Sequence, residues 1–191
     1  MKLLKMKSLY SCLLLILLFI ITSFDTPKGW HKDGTDPDAY SAGMEPGSGV
    51  SGSKAGTIQS VRGRITGYCS LVQSFKPGRY RNKKIRLSGY MKSWDVEKYA
   101  GFFLRIDGQP TEGALAFDNM EDRPIKGTTD WTKYEITLYV SDNAQEIVIG
   151  AILNGHGKIW FDNIHIDVID EPTDKKGTII YKGPVNLNFE E

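Results

Sequence analysis

The sequence predicts an all-β protein, an antiparallel sandwich or barrel, and three observations support this prediction. Apolar and polar residues alternate with a period of two in several segments, most regularly in Lys84–Ser93 and Lys133–Val140. Glycines and other turn formers separate these segments, and aromatic residues make up 11% of the chain. After residue 23 no segment keeps a 3.6-residue apolar period, which excludes a doubly wound nucleotide-binding fold.

The first 23 residues differ from the rest and predict a secretory signal peptide. Three lysines, Lys2, Lys5 and Lys7, precede the almost wholly apolar run Leu9–Ile21, and Thr22-Ser23 offers a cleavage site. An uncleaved membrane anchor is the alternative, although the run is shorter than the roughly 20 residues that span a bilayer. We therefore expect the remaining chain to be secreted, periplasmic or at the cell envelope, with no membrane association after cleavage.

The charge balance argues against nucleic acid as a partner. Removing the leader removes three of the 24 basic residues and none of the 23 acidic residues, so the net charge changes from +1 to −2. Nucleic-acid binding needs clustered lysine and arginine. The basic stretch Lys76–Arg86 has two interpretations, a solvated turn with an edge strand or a contact with an anionic polymer.

The elements follow in chain order and fill one domain, 24–170. Turn formers dominate 24–56, which predicts an irregular strap over the sandwich, pinned by Trp30 and Tyr40. The segment 93–100 could contain one helical turn. A tail, 171–191, follows the domain and could supply an edge strand. The expected strands are Thr57–Arg62, Tyr68–Phe75, Lys84–Ser93, Tyr99–Asp107, Gly113–Phe117, Lys133–Val140, Gln145–Leu153 and Gly157–Val168.

Few residues point to catalysis. The sequence contains neither Gly-x-Ser-x-Gly nor His-Glu-x-x-His. Cys69, the single cysteine after the leader, lies in an apolar run and is expected to be a buried, unreactive thiol. A carboxylate pair such as Asp107 and Asp118 could hydrolyse a glycoside and is left open. We expect a protein that is not an enzyme.

Four clusters follow one another along the chain: Phe24-Asp25 with Gly29-Trp30, the run Arg81–Lys92, Trp131-Thr132-Lys133-Tyr134, and the closing strand Gly157–Val168. In this order they resemble the jelly-roll carbohydrate-binding modules of bacterial glycoside hydrolases, which are galactose-binding-like domains. The resemblance covers most of 24–170 and implies a jelly-roll sandwich that binds a polysaccharide. Two further runs, Phe117–Met120 and Gly127–Trp131, resemble uncharacterised bacterial secreted or regulator-linked domains.

A protein that binds a sugar needs an exposed aromatic ring, which packs against the C–H face of the sugar, and fixed polar groups, which bond to the sugar hydroxyls. Alternation places Phe103 and Arg105 on one face of the strand and Phe102 and Leu104 on the other. The face with Phe103 and Arg105 would be the concave groove of a jelly roll. The alternative is that Arg105 simply forms an ion pair with Asp107 or Asp118. For Trp131 and Trp160 a core or hinge position is favoured over binding. The candidate carbohydrate-binding residues are Trp94, Phe103, Arg105, Asp107, Asp118 and Asn119, with Tyr99 and Trp160 as further rings.

The resemblance also implies a structural calcium ion near the first and last strands, held by oxygen ligands. Asp162 matches the acid of the closing strand, and Asp25 stands where a glutamate is expected. Glu190 is a further candidate, because the tail Asn186–Glu190 resembles the opening strand of such modules. The sequence thus predicts a secreted, non-catalytic module that binds carbohydrate. A structural or protein-interaction domain at the cell envelope, without glycan binding, is the alternative.

Overall fold

A computed structural model describes residues 24–169 and 183–191, so the expected signal peptide and the segment 170–182 lie outside the described residues. Within these ranges no helix has the length and hydropathy needed to cross a bilayer. Two short 3-10 helices, Pro37–Ala39 and Gly78–Tyr80, accompany the strands. The strands are β1 (His31–Gly34), β2 (Tyr40–Glu45), β3 (Ala55–Ser60), β4 (Tyr68–Phe75), β5 (Lys83–Asp107), β6 (Ala114–Asp118), β7 (Ile125–Val140), β8 (Glu146–Asn154) and β9 (Lys158–Val168).

The long strand β5 belongs to both layers of an antiparallel β-sandwich. Its second half pairs with β8 and β6, which gives a first layer in the order β1-β4-β8-β5-β6. Its first half pairs with β7 and β9, which gives a second layer in the order β7-β5-β9-β3-β2. Register shifts between Met91 and Ala100 interrupt the pairing with β7, and such irregularities let a strand bend. The predicted all-β jelly-roll fold is confirmed.

The core lies between the two layers and is built by alternate residues of each strand. Phe102 and Leu104 of β5 face inward, next to Ala151 and Ile149 of β8. From the second layer, Leu87 and Phe161 pack into the same core. Period-two alternation therefore identified the inward face of β5 correctly, because each strand buries one face and leaves the other outside.

The segment 24–56 is more regular than the sequence predicted. It contains β1, which pairs with β4, and β2, which pairs with β3. Both strands are short and bounded by turn formers, so their alternation is too brief to register in the sequence. Trp30 and Tyr40 are buried as expected. The Tyr40 hydroxyl lies 2.9 Å from the carbonyl oxygen of Gly67 and 3.0 Å from that of Gly155, which ties the segment to two distant turns.

The described part of the tail, 183–191, packs against one end of the core in a turn and forms no strand. The Phe189 ring is fully buried, with its centroid 5.2 Å from that of Trp30 and 5.1 Å from that of Phe161. The Gln73 side chain donates to the carbonyl of Val185 at 2.9 Å and accepts from its N–H at 2.7 Å. Residues 183–191 therefore supply core contacts, while 171–182, the rest of the possible edge strand, lies outside the described residues.

Candidate functional site

The outer face of the first layer has a small apolar floor. Four buried side chains form it, and Tyr68 and Tyr99 pack against its edge. Phe103 lies opposite Gly150 in the register between β5 and β8. A Cβ atom on Gly150 would lie 2.5 Å from the Phe103 ring, so only glycine leaves room for the ring at this point. The floor residues are Val72, Phe103, Val148 and Ile152.

An exposed aromatic ring stands at the edge of this floor. Phe117 on β6 lies opposite Arg105, so it points to the same side as Phe103. The two rings are 6.5 Å apart between centroids and inclined by 60°. Phe103 is only 8% exposed, whereas Phe117 is 53% exposed. The ring available for stacking is therefore Phe117, which the sequence analysis named only as part of a resemblance, because its position opposite Arg105 depends on strand pairing.

Arg105 and Asp107 form an ion pair beside the floor. The guanidinium donates from Nε and Nη2 to Asp107 Oδ2, at 3.1 and 2.9 Å. Of the two partners that the sequence left open, the arginine therefore pairs with Asp107. Both residues line an open depression of about 620 Å³, together with Gln109 and Glu146. The pair is exposed and contributes little stability, but it holds the remaining guanidinium N–H donors in a fixed direction.

Asp118 and Asn119 line a second open depression of about 600 Å³, which Phe117 also borders. Asp118 accepts from Arg123 Nη2 at 2.7 Å and from the N–H of Met120 at 2.9 Å. This hydrogen bond to the Asp118 carboxylate raises the pKa of Arg123. Asn119 accepts from the N–H of Glu121 at 3.2 Å. Both side chains therefore shape the turn after β6, and Asp118 lies opposite Leu104, on the inward side of that strand.

Trp94 does not join the other candidates. It lies in the part of β5 that pairs with β9 of the second layer, opposite Lys158. Phe103 lies nine residues later, where β5 already belongs to the first layer. Trp94 is 53% exposed, so its ring is available, but on the outer face of the other layer.

Trp131 and Trp160 also lie on the outer face of the second layer, half-buried, rather than in the core that the sequence favoured. The Lys92 ammonium lies 4.9 Å from the Trp131 ring centroid and 4.7 Å from that of Trp160. The Trp160 indole N–H donates to Glu45 at 2.8 Å, and Lys158 Nζ lies 2.7 Å from the same carboxylate. Although burial opposes the change, the hydrogen bond from Lys158 lowers the pKa of Glu45.

The expected calcium ligands have different surroundings. Asp162 is 1% exposed and accepts from the N–H groups of Val50 at 3.0 Å and Asn163 at 2.6 Å. Asp25 is exposed and forms a single bridge with Met44. Over 24–169 and 183–191, no group of three or more His, Cys, Asp or Glu residues could hold a metal ion. Calcium takes six to eight oxygen ligands, of which these two acids could supply only a part. In the structure Asp162 anchors the loop that follows β2.

Calcium binding stays a prediction, which thermal melting with and without EDTA tests. The expected buried thiol is confirmed: Cys69 lies in the core, and burial raises its pKa to about 12.

Two proteins with related sequences contain a similar region within a longer chain. The chain is 34% identical over 170 residues to an uncharacterised HTH-type transcriptional regulator, YbfP of Bacillus subtilis, covering 86% of this chain and 57% of the regulator. It is 28% identical over 155 residues to the tRNA nuclease WapA of the same species, covering 76% of this chain and 6% of the nuclease. The chain thus spans little more than half of the regulator. No protein-family model matches it.

Solved structures share the fold at low sequence identity. The enzymatically active domain of tailspike protein 4 from bacteriophage CBA120 aligns with a TM-score of 0.57 and 14% identity, over 77% of this chain and 20% of that one. The xylan-binding CBM22-1 domain of Paenibacillus barcinonensis Xyn10C aligns at 0.53 and 12%, over 78% and 91%. A family 16 carbohydrate-binding module aligns at 0.51 and 14%, over 70% and 92%. The chain therefore has the fold of carbohydrate-binding modules.

Proposed function

We propose that the chain is a non-catalytic module that binds a polysaccharide on the outer face of its first layer. The observation that carries the proposal is the exposed Phe117 ring beside the apolar floor, next to the fixed Arg105–Asp107 pair. The fold agrees with it, since modules of this fold include a xylan-binding domain. In this arrangement the ring receives the C–H face of a sugar, and the guanidinium donates to its hydroxyls.

The floor explains why the site would be selective for extended, flat ligands. Phe103 and Gly150 leave a low surface. Arg105 beside it lines one open depression, and Phe117 borders a second one at the edge of the layer. An open surface of this kind accepts a chain that continues in both directions, whereas a small ligand would find few enclosing contacts. We therefore expect a polymer to bind more tightly than its single sugar.

Affinity electrophoresis against a panel of neutral polysaccharides, with xylan, β-glucan and galactan, tests the proposal. We expect one polymer to retard the protein, and Phe117→Ala to weaken that binding about tenfold, as for loss of a central aromatic contact. Arg105→Ala should weaken it about fivefold. Tyr139→Ala is the matched control, since it removes a ring that is 56% exposed on β7 of the other layer.

The control variant should bind as the unmodified protein does. If the folded protein is retarded by none of the polymers, or if Phe117→Ala and Tyr139→Ala behave alike, the first-layer surface is not a glycan site. Incubation of the same polymers with purified protein, followed by reducing-end assay, tests the non-catalytic part. Release of new reducing ends would contradict it, and would point back to the carboxylates Asp107 and Asp118.

A protein-interaction role is the second candidate, and the relatives favour it. Similar regions form 57% of a transcriptional regulator and 6% of a nuclease, so the region accompanies other functions in both. A pull-down from envelope extracts that recovers one protein partner, together with no retardation by any polysaccharide, would support this role over glycan binding.

We further propose that the protein works outside the cytoplasm. The support is the basic, then apolar, layout of residues 1–23. Cell fractionation followed by mass spectrometry of the amino terminus tests it. A protein that starts at Phe24 in the secreted or envelope fraction is the expected result, and recovery of the whole chain from the cytoplasm would contradict it.

A further inference from the structure

The outer face of the second layer carries a second group of aromatic rings, on the other side of the sandwich from Phe117. We call it the tryptophan–lysine face. None of its side chains belongs to the first-layer surface. Its members are Lys92, Trp94, Trp131, Lys158 and Trp160.

Strand pairing holds these side chains in place. Lys92 and Trp94 lie opposite Trp160 and Lys158, respectively, in the register between β5 and β9. The Lys158 ammonium lies 4.4 Å from the Trp160 ring centroid, and the indole N–H of Trp160 donates to Glu45 at 2.8 Å. Because all of these residues lie on paired strands, the face requires little ordering when a ligand binds.

The two lysines of this face differ in whether a carboxylate pairs with their ammonium group. Lys158 is paired with Glu45 at 2.7 Å. Lys92 forms no ion pair with any residue that the structure describes, and its ammonium contacts the rings of Trp131 and Trp160.

Two acids neighbour this face in sequence, and neither forms an ion pair with Lys92. Asp95 lies 3.7 Å from His156, and Asp130 accepts the N–H of Trp131 at 2.7 Å. Among the described residues Lys92 therefore has no carboxylate partner, and its ammonium lies beside two aromatic rings.

We propose that the tryptophan–lysine face binds an acidic polysaccharide, with a uronic acid ring stacked on Trp94 and its carboxylate on Lys92. Trp94 is 53% exposed and follows Lys92 by two residues, a spacing of about 7 Å along a strand, which suits one sugar ring. A carboxylate of the polymer would form an ion pair with the Lys92 ammonium, which has no carboxylate partner among the described residues. A nucleic acid fits less well, because the face offers few cations to meet regularly spaced phosphates. This inference does not rest on the proposed first-layer site.

The test is binding of polygalacturonate, compared with the same polymer after methyl esterification, which keeps the ring and removes the charge. We expect binding to fall as esterification rises and as salt rises, because an exposed ion pair is screened. Trp94→Ala should weaken binding about tenfold. Lys92→Gln should weaken it about fivefold and remove most of the salt dependence.

Two controls separate this site from general attraction and from the first layer. Lys84→Gln removes the same charge from the same face of β5, away from the three tryptophans, and should bind normally. Phe117→Ala, which tests the first-layer surface, should also leave polygalacturonate binding unchanged.

The proposal is overturned if polygalacturonate fails to bind at low salt, if Lys84→Gln and Lys92→Gln lose the same affinity, or if Trp94→Ala binds as the unmodified protein does. Trp94 is exposed, so its replacement keeps the fold and decides the question even where Lys92→Gln does not fold.

Discussion

Replacement of Phe189 by alanine should destabilise the whole sandwich, although the residue is the third from the carboxyl end of the chain. The ring is fully buried and contacts both Trp30 and Phe161. A phenylalanine side chain buries about 150–250 Å². At about 25 cal/mol per Å² its removal costs about 4–6 kcal/mol as an upper bound. Measured replacements of buried phenylalanine by alanine cost about 3–5 kcal/mol.

We therefore expect Phe189→Ala to lower the free energy of unfolding by about 3–5 kcal/mol. For a domain of this size the melting temperature should fall by about 6–20 °C. Urea denaturation followed by tryptophan fluorescence gives the free energy, and calorimetry gives the melting temperature. Val185→Ala is the control, because its side chain is exposed and the contact with Gln73 uses its backbone. A loss below about 1 kcal/mol for Phe189→Ala would show that the tail is not part of the core.

Three other predictions concern the interior and the charges. Gly150→Ala should cost about 1–3 kcal/mol, measured by urea denaturation, because the new methyl group would collide with Phe103; an unchanged midpoint would contradict this. Native Cys69 should resist alkylation at pH 8 and react after unfolding, because burial raises its pKa to about 12; rapid labelling of folded protein would contradict this. Glu45 has a lowered pKa beside Lys158, so its stabilising effect is present above the unfolded value and is lost as pH falls through the folded value. Glu45→Gln should therefore flatten stability against pH below about 4.5, and an unaltered acid profile would contradict this.

The sequence was sufficient for the strands that alternate over eight or more residues. Lys133–Val140 and Tyr99–Asp107 lie in β7 and β5 as expected. The helical turn that the sequence allowed at 93–100 does not form, because β5 continues through this segment. Register shifts and the positive φ of Asp95 interrupt the alternation there, although the segment remains part of β5.

For the candidate surface, the sequence predicted which residues of one strand share a face, but not which strands lie next to each other. Alternation placed Phe103 and Arg105 on one face, and the structure agrees. It could not show that Phe117 lies opposite Arg105, since pairing between distant segments leaves no local pattern. It also could not show that Trp94 and Phe103 belong to different layers of the sandwich, because the strand that carries both changes partners between them.

That shared strand couples the two halves of the molecule as a folding unit. The 25 residues of β5 run continuously from one layer into the other, so neither layer can separate while the strand stays intact. Its amide protons should exchange with deuterated water only when the entire domain opens, at the slowest rate in the protein. The connectivity therefore converts what could have been two weakly linked sheets into a single cooperative transition.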